Sequence, residues 1–169
     1  LQASEPPLER IERWIEKRRD KYWYDEYIAS YTAFSEAVKL FFLLERLELK
    51  IENFEDTLKK YTQTFCKVDL HYRRFVTFAD KSGLTDLFGE LEKKVEQFYV
   101  NRFLTRLNEQ WQEKIEKHKW ESESFDNQQT FFEKRVRPIL QKNNKVFVVI
   151  SDALRYECAV ELKEMILRE

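Results

Sequence analysis

The chain has 169 residues, of which 43% are hydrophobic, enough for one sizeable core, and its 30 Lys and Arg are balanced by 31 Asp and Glu. The charge balance gives no global field that would favour nucleic acid, and no apolar run approaches the ~20 residues of a membrane span. Two Gly and three Pro in the whole chain leave few tight turns, so the composition excludes a β-rich fold and favours long helices.

Four helices are predicted before Gly83. The first begins at Ser4, because Ser can cap a helix and the Pro residues that follow suit its first turn. A wide apolar stripe predicts a central helix from Asp25 to about Lys50. A third helix is predicted from Phe54 to Lys67, and Asp69 is predicted to cap a shorter fourth helix that ends at Gly83.

The longest helix is predicted from Thr85 to about Lys119. Its apolar residues recur every four positions, and each step overshoots an α-helical turn by about 40°. The apolar stripe therefore winds around the helix, as is typical of the spine of a bundle. The stripe consists of Leu91, Val95, Tyr99, Phe103, Leu107, Trp111 and Ile115.

A change of composition after Leu140 marks the one predicted domain boundary. Before it, Asp126 is predicted to cap a last helix, with an end or a kink at Arg137 because Pro138 follows. The fold prediction is a mainly α chain with a helical bundle over residues 1–140. Residues 141–169 are predicted to begin a second, α/β domain with one strand and one helix.

The segment from Lys145 to Ile150 is predicted to be a strand buried on both faces, since its apolar residues follow one another without alternation. Asp152 stands at the carboxyl end of this strand, where α/β sheets place ligand-binding groups. A helix predicted from Ala153 to Glu169 would offer N–H groups to an anion. This position indicates a metal and phosphate site, although Asp152 could equally cap the helix.

The remaining polar residues form no recognisable site. Ser151 would point to the opposite face of the strand, and Arg155 could approach a phosphate or lie on the surface, so it has no assigned role. His71 and His118 lack partners at metal-ligand spacing and are expected at a surface or interface. Cys66 and Cys158 are predicted to be free thiols, which fits a reduced cytoplasm.

Three stretches resemble one known family. The stretch V-F-V-V-I-S-D-A-L-R-Y-E-x-A-x-E-L from Val146 resembles the start of the phosphatase core in the PglZ family, the alkaline-phosphatase-like proteins of bacterial BREX phage-resistance systems. Upstream, V-D-x-x-Y-R-x-F from Val68 and V-x-x-F-Y-V-N from Val95 look like short motifs of the family's helical region. The resemblance covers most of the chain.

The resemblance implies a metal-dependent, phosphatase-like parent that hydrolyses a phosphate ester. In that superfamily the aspartate that ends the first core strand is a metal ligand, and it corresponds to Asp152. The implied cofactor of the parent is a divalent metal, with zinc as one candidate. The family's Ser or Thr nucleophile and its other Asp and His ligands lie beyond this strand and helix, so this chain is expected to be a fragment that is inactive alone, with no catalytic residue and no cofactor.

Two other functions stay open. The helical region could be a protein-interaction module that docks other BREX-type defence proteins, with the phosphatase-like core as a scaffold. Alternatively, Arg and Lys on the first or third helical segment could contact nucleic acid, although interleaved acidic residues compensate most of the charge on the first.

The predicted strand has no sheet in this chain. Val146 to Ile150 should therefore pair with the same segment of a second molecule, forming a dimer, or fold back against the bundle together with its helix. The dimer is the favoured prediction, because a two-fold contact satisfies backbone groups on one strand edge.

Overall fold

The computed structural model describes residues 7–116, 122 and 124–168. These residues form α-helices, a short 3-10 helix (Gln128–Thr130) and three π-helical turns, and no strand occurs among them. The prediction of a mainly α chain is confirmed, whereas the cap predicted at Ser4 lies outside the described residues. The α-helices are α1 (Pro7–Glu16), α2 (Ile28–Arg46), α3 (Phe54–Lys60), α4 (Cys66–Ser82), α5 (Thr85–Phe98), α6 (Thr105–Ile115), α7 (Arg137–Leu140) and α8 (Tyr156–Arg168).

The core is built on α2 and α4, which pack along each other. Ala33, Ala37 and Leu40 of α2 are almost completely buried, and small residues allow two helices to approach closely. The central helix predicted from the apolar stripe is therefore confirmed. α5 closes the core with aromatic contacts, since the Phe88 ring lies 4.8 Å from the ring of Phe34.

Two long helices continue through π-helical turns. The turn π1 (Tyr61–Phe65) joins α3 to α4, and π2 (Tyr99–Leu104) joins α5 to α6. A π turn has i→i+5 hydrogen bonds and holds more residues per turn than an α-helix. Side chains four residues apart therefore stay close to the same side of the helix there. Val95, Tyr99 and Phe103 are accordingly all buried. The winding expected for the apolar stripe is thus reduced where the helix crosses the core.

The helix start predicted at Asp69 is wrong. The chain is helical without interruption from Phe54 to Ser82, and Asp69 lies in the first turn of α4 with only 5% of its surface exposed. Its carboxylate binds side chains from other turns and does not cap a helix. The predicted end of this helix is confirmed at Gly83, which adopts a left-handed conformation with φ of 65°.

The segment before residue 140 differs in detail from the prediction. Asn127 caps the short 3-10 helix by accepting a hydrogen bond from the Gln129 backbone, whereas Asp126 pairs with Lys134 and Arg135. The turn π3 (Phe132–Val136) leads into α7, which stays helical through Pro138 and ends at Leu140. The irregularity expected at Arg137 therefore takes the form of a change from π to α geometry.

The predicted strand from Lys145 to Ile150 is wrong for this chain. These residues have no regular secondary structure, and Phe147, Val149 and Ile150 are 88–90% exposed. A strand exists only when a neighbour completes its hydrogen bonds. The described residues provide no such neighbour, so the apolar run is left in solvent.

The aromatic core predicts a large effect for Phe88→Ala. Phe88 is fully buried against Phe34 and Phe75, so we expect a loss of about 3–5 kcal/mol in the free energy of unfolding. Urea denaturation followed by circular dichroism measures this loss. Leu87→Ala is the matched control, because Leu87 is 53% exposed and its loss should cost about 0.5 kcal/mol or less. Equal losses for the two variants would contradict this account of the core.

Candidate functional site at the Asp152 loop and its junction with α4

Asp152 lies in an exposed turn between the apolar segment and α8. The next residue, Ala153, has φ of 58°, a left-handed conformation that is uncommon for a residue with a Cβ. α8 begins at Tyr156, three residues later than the start predicted at Ala153. Asp152 is four residues before Tyr156 and therefore too far away to cap α8. Its carboxylate is left free for another partner.

The described residues do not form a metal centre by themselves. Within the described ranges, no group of three or more His, Cys, Asp or Glu side chains is arranged so that it could hold a metal ion, and Asp152 offers one carboxylate. His71 contacts Glu36, its Nδ1 lying 2.6 Å from Oε2, and His118 lies outside the described residues. Cys66 and Cys158 are both free thiols, as predicted.

The neighbourhood of Asp152 is fixed to the bundle through Asp69. The Tyr61 hydroxyl donates a hydrogen bond of 2.6 Å to one carboxylate oxygen of Asp69, and the Tyr99 hydroxyl donates one of 2.7 Å to the other. Arg155, three residues after Asp152, brings its guanidinium to 3.8 Å from the same carboxylate. Two π turns, α4 and the start of α8 therefore meet at a single buried charge.

α8 adds two acidic residues to this contact. Glu157 is 1% exposed and forms an ion pair with Arg155, whose Nε lies 2.8 Å from its carboxylate, while Arg73 Nε of α4 lies 3.7 Å away. Glu161 pairs with Arg73 and, at 3.6 Å, with Arg74. We call these residues the junction cluster, which consists of Asp69, Arg73, Arg74, Arg155, Glu157 and Glu161.

The junction cluster is balanced in charge and extends into α2. Its three carboxylates face three guanidinium groups, which is how buried charges are tolerated. Arg74 also lies 3.5 Å from Glu36 of α2. Burial acts to raise the pKa of Glu36, but the hydrogen bond to His71 and the charges of Arg74 and Lys39 outweigh it, so the pKa is lowered.

The junction cluster, together with Tyr99 that donates to Asp69, brings together the three stretches that carry the family resemblance. Asp69 and Arg73 belong to the first upstream motif, Tyr99 belongs to the second, and Arg155 and Glu157 belong to the terminal one. Sequence reasoning assigned no role to Arg155 and interpreted Asp69 as a cap. Side chains from distant segments that bind one another leave no periodic pattern in a sequence. The polar residues of these motifs were therefore the available signal for the contact between α4 and the segment before α8.

Comparisons with known proteins show what the chain is similar to. The family model for the BREX system PglZ alkaline phosphatase-like domain matches residues 131–169. The chain is 32% identical over 157 residues to the alkaline phosphatase-like protein PglZ of Bacillus cereus (strain H3081.97), an alignment that covers 90% of this chain and 18% of that protein. It is 31% identical over 177 residues to the alkaline phosphatase-like protein BrxZ of Escherichia coli O9:H4 (strain HS), covering 95% of this chain and 20% of that protein.

The chain therefore spans about a fifth of the length of these two relatives. No solved structure matches it. Among the helices of the described residues, none is both long enough and apolar enough to cross a membrane.

The hydrogen bonds to Asp69 predict an abnormal titration of two tyrosines. Burial, followed by the bond to Asp69, raises the pKa of Tyr61 and of Tyr99. The stability that these hydroxyls contribute is intact below about pH 10, the ordinary tyrosine pKa, and falls as the pH rises further, because the unfolded chain releases protons that the folded chain keeps. Ultraviolet titration should show that Tyr61 and Tyr99 ionise at a higher pH than an ordinary tyrosine.

Asp69→Asn tests the cause of this shift, because it removes the negative charge and should lower the pKa of both tyrosines. Asp80→Asn is the matched control, since Asp80 lies on the same helix and is exposed. If both variants titrate like the parent chain, Asp69 does not hold the two hydroxyls.

Proposed function

Because the chain belongs to the PglZ family of BREX alkaline phosphatase-like proteins, we propose that it supplies the helical region and the first strand and helix of a phosphatase-like core. The observation that carries this proposal is the similarity to two alkaline phosphatase-like proteins along 90% or more of the chain. The proposed activity of the complete protein is hydrolysis of a phosphate ester. The proposed partners are other BREX proteins.

Asp152 is the proposed metal ligand of this chain. It is the exposed carboxylate that directly follows the apolar segment, and oxygen ligands of this kind suit divalent cations, zinc among them. A single carboxylate cannot hold such an ion. The other ligands and the Ser or Thr nucleophile are proposed to come from the parts of the relatives that this chain does not span, so this chain alone should be inactive.

The exposed apolar side chains of the segment before Asp152 and of the end of α8 support the proposal that a further part of the complete protein covers them. Phe147, Val149 and Ile150 are almost fully exposed, and Met165 and Leu167 at the end of α8 are 66% and 74% exposed. Each such side chain gains roughly 1.5–3 kcal/mol when it is buried. We propose that residues 146–150 become a paired strand when the remainder of the core covers them.

The test is Asp152→Asn in the complete protein. We expect the substitution to abolish metal-dependent phosphoester hydrolysis while circular dichroism shows unchanged helix content, because an exposed amide replaces an exposed carboxylate without disturbing any contact of the bundle. Asp20→Asn is the matched control, since Asp20 is also exposed in a turn and lies outside α8. Full activity of Asp152→Asn would exclude Asp152 as a ligand and leave it as a loop residue.

Full activity of Asp152→Asn in the complete protein, or no activity of the complete protein without the substitution, would favour the second candidate function. In that proposal the helical region docks other defence proteins. Exposed aromatic side chains on α1 and in the turns after it support it: Trp14 and Trp23 are about half exposed, and Tyr22 is fully exposed. Aromatic residues of this kind are frequent anchors in protein interfaces.

Nucleic-acid binding and a cytoplasmic location stay hypotheses. Cations on the first and third helical segments are partly compensated, since Arg19 pairs with Glu16 and Lys60 pairs with Asp56. Any phosphate contact would therefore compete with these ion pairs. The cytoplasmic location is proposed from the two free thiols, which persist in a reducing compartment.

The isolated chain is proposed to dimerise through Val146 to Ile150. α8 itself folds back on α4, but the apolar segment before it stays exposed and can pair with a second copy. Light scattering should give a dimer mass at high concentration, and Val149→Lys should shift it to a monomer because the charge would be buried in the new interface. Lys145→Ala is the control outside the apolar run. A monomer mass for the unsubstituted chain at all concentrations would overturn the pairing.

A further inference from the structure

α8 is oriented with its charged residues Glu157 and Glu161 towards α4. Glu157 and Glu161 are one helical turn apart and meet α4, whereas Met165, Ile166 and Leu167 are 64–74% exposed. An amphipathic helix ordinarily packs its apolar stripe on the core and turns its charges to water. The attachment of α8 to the bundle therefore depends on ion pairs, together with the contact of the Tyr156 ring with the ring of Tyr61, whose centroids are 6.0 Å apart.

These ion pairs cross between elements that are distant in sequence. Arg155 reaches Asp69, while Glu157 and Glu161 reach Arg73. Glu157 is 1% exposed and Asp69 is 5% exposed. Carboxylates with so little contact with water are stable only while their cationic partners stay in place.

We propose that Arg155, Glu157 and Glu161 are positioning residues, which hold α8 against α4 in one register and thereby fix the place at which the Asp152 loop leaves the helical region. The functional meaning of that place rests on the proposed role of Asp152, but the attachment itself does not. The helical region is then the platform on which the first part of the phosphatase-like core is aligned.

Charge pairing makes the attachment of α8 to α4 selective for one register. An apolar contact tolerates sliding, since one methyl group can replace another at similar cost. A shift of α8 by one turn would move Arg155 away from Asp69 and Glu157 away from Arg73, and the buried carboxylate of Asp69 would lose its cation, which is strongly unfavourable. The observed register pairs Arg155 with Asp69, Glu157 with Arg73, and Glu161 with Arg73 and Arg74, although Arg73 Nε and Glu157 Oε2 have no hydrogen-bond partner among the described residues. Because Asp152 lies three residues before Arg155, its distance from α4 is limited by the same register.

The test compares Arg155→Gln with Arg155→Lys in the full 169-residue chain. Hydrogen exchange should accelerate about tenfold or more in α8 for the glutamine variant, because one partner of a buried ion pair is lost. Exchange in α2 and α5 should not change. Arg155→Lys keeps the positive charge and should restore most of the protection. Arg168→Gln is the matched control, because Arg168 is 80% exposed and lies at the other end of α8.

Alkylation of the cysteines gives a second measurement. Cys158 lies on α8, and its rate of alkylation should rise in Arg155→Gln, whereas Cys66 is buried in the bundle and should react as slowly as before. If Arg155→Gln unfolds the whole chain, Glu161→Gln provides the same comparison with a smaller change, since Glu161 is 30% exposed. Unchanged exchange and alkylation of α8 in both glutamine variants would overturn the proposal.

Failure of the attachment and failure of the proposed function have different signatures. In the complete protein, exchange of residues 145–168 reports on the attachment without any need for activity. Faster exchange in Arg155→Gln together with full activity of Asp152→Asn would keep the positioning and reject the role of Asp152. Slow, unchanged exchange in Arg155→Gln together with an inactive Asp152→Asn would keep the proposed function and reject the positioning.

Discussion

The buried carboxylate of Asp69 is the constraint on which the rest of the structure depends. Removing such a group from water costs several kcal/mol unless donors surround it. The donors here are Tyr61 and Tyr99, one from each of the two long interrupted helices, and the positive charge of Arg155 comes from the segment that leads into α8. The second long helix and the terminal helix are therefore placed relative to α4 by the needs of one side chain. Tyr72, which stacks on Tyr99 with ring centroids 3.9 Å apart, keeps that hydroxyl in place.

The apolar side chains are buried in one part of the chain and exposed to solvent in another. The bundle buries its aromatic residues among α2, α4 and α5, while the apolar side chains of residues 147–150 and of the end of α8 lie in solvent. The family similarity extends across both parts, although the chain spans only about a fifth of the two relatives. Under the proposal that this chain supplies part of a phosphatase-like core, these exposed side chains are the surface that the rest of the core would cover.

Local periodicity predicted most of the helices, because burial of one face leaves a regular trace in the sequence. The wide stripe of α2 and the end of α4 at Gly83 are examples. Interactions between distant segments left no such trace. An Asp inside a helical pattern gives the same signal whether it caps a helix or binds Tyr61 and Tyr99, and the apolar run at Val146 indicates a strand only when a neighbour is present. The sequence identified Asp152 as the candidate ligand through its place after the apolar run and through the family resemblance, whereas the contact of Arg155 with Asp69 became visible only in the structure.

The π2 turn has a consequence for how this chain tolerates changes of length. It accommodates more residues in one turn than an α-helix does and lies between Val95 and Leu107, in the middle of the core. A π turn holds about one residue more than an α-helical turn, so deletion of one residue within Tyr99–Leu104 would let the segment relax into regular α-helix while α6 keeps nearly the same orientation relative to α5. Gln110, whose side chain binds the backbone of Leu49 and Ile51, would keep its direction. Deletion of one residue from α6 before Gln110 would instead rotate that side chain by about 100°, which makes the π2 turn the part of the long helix best able to lose a residue.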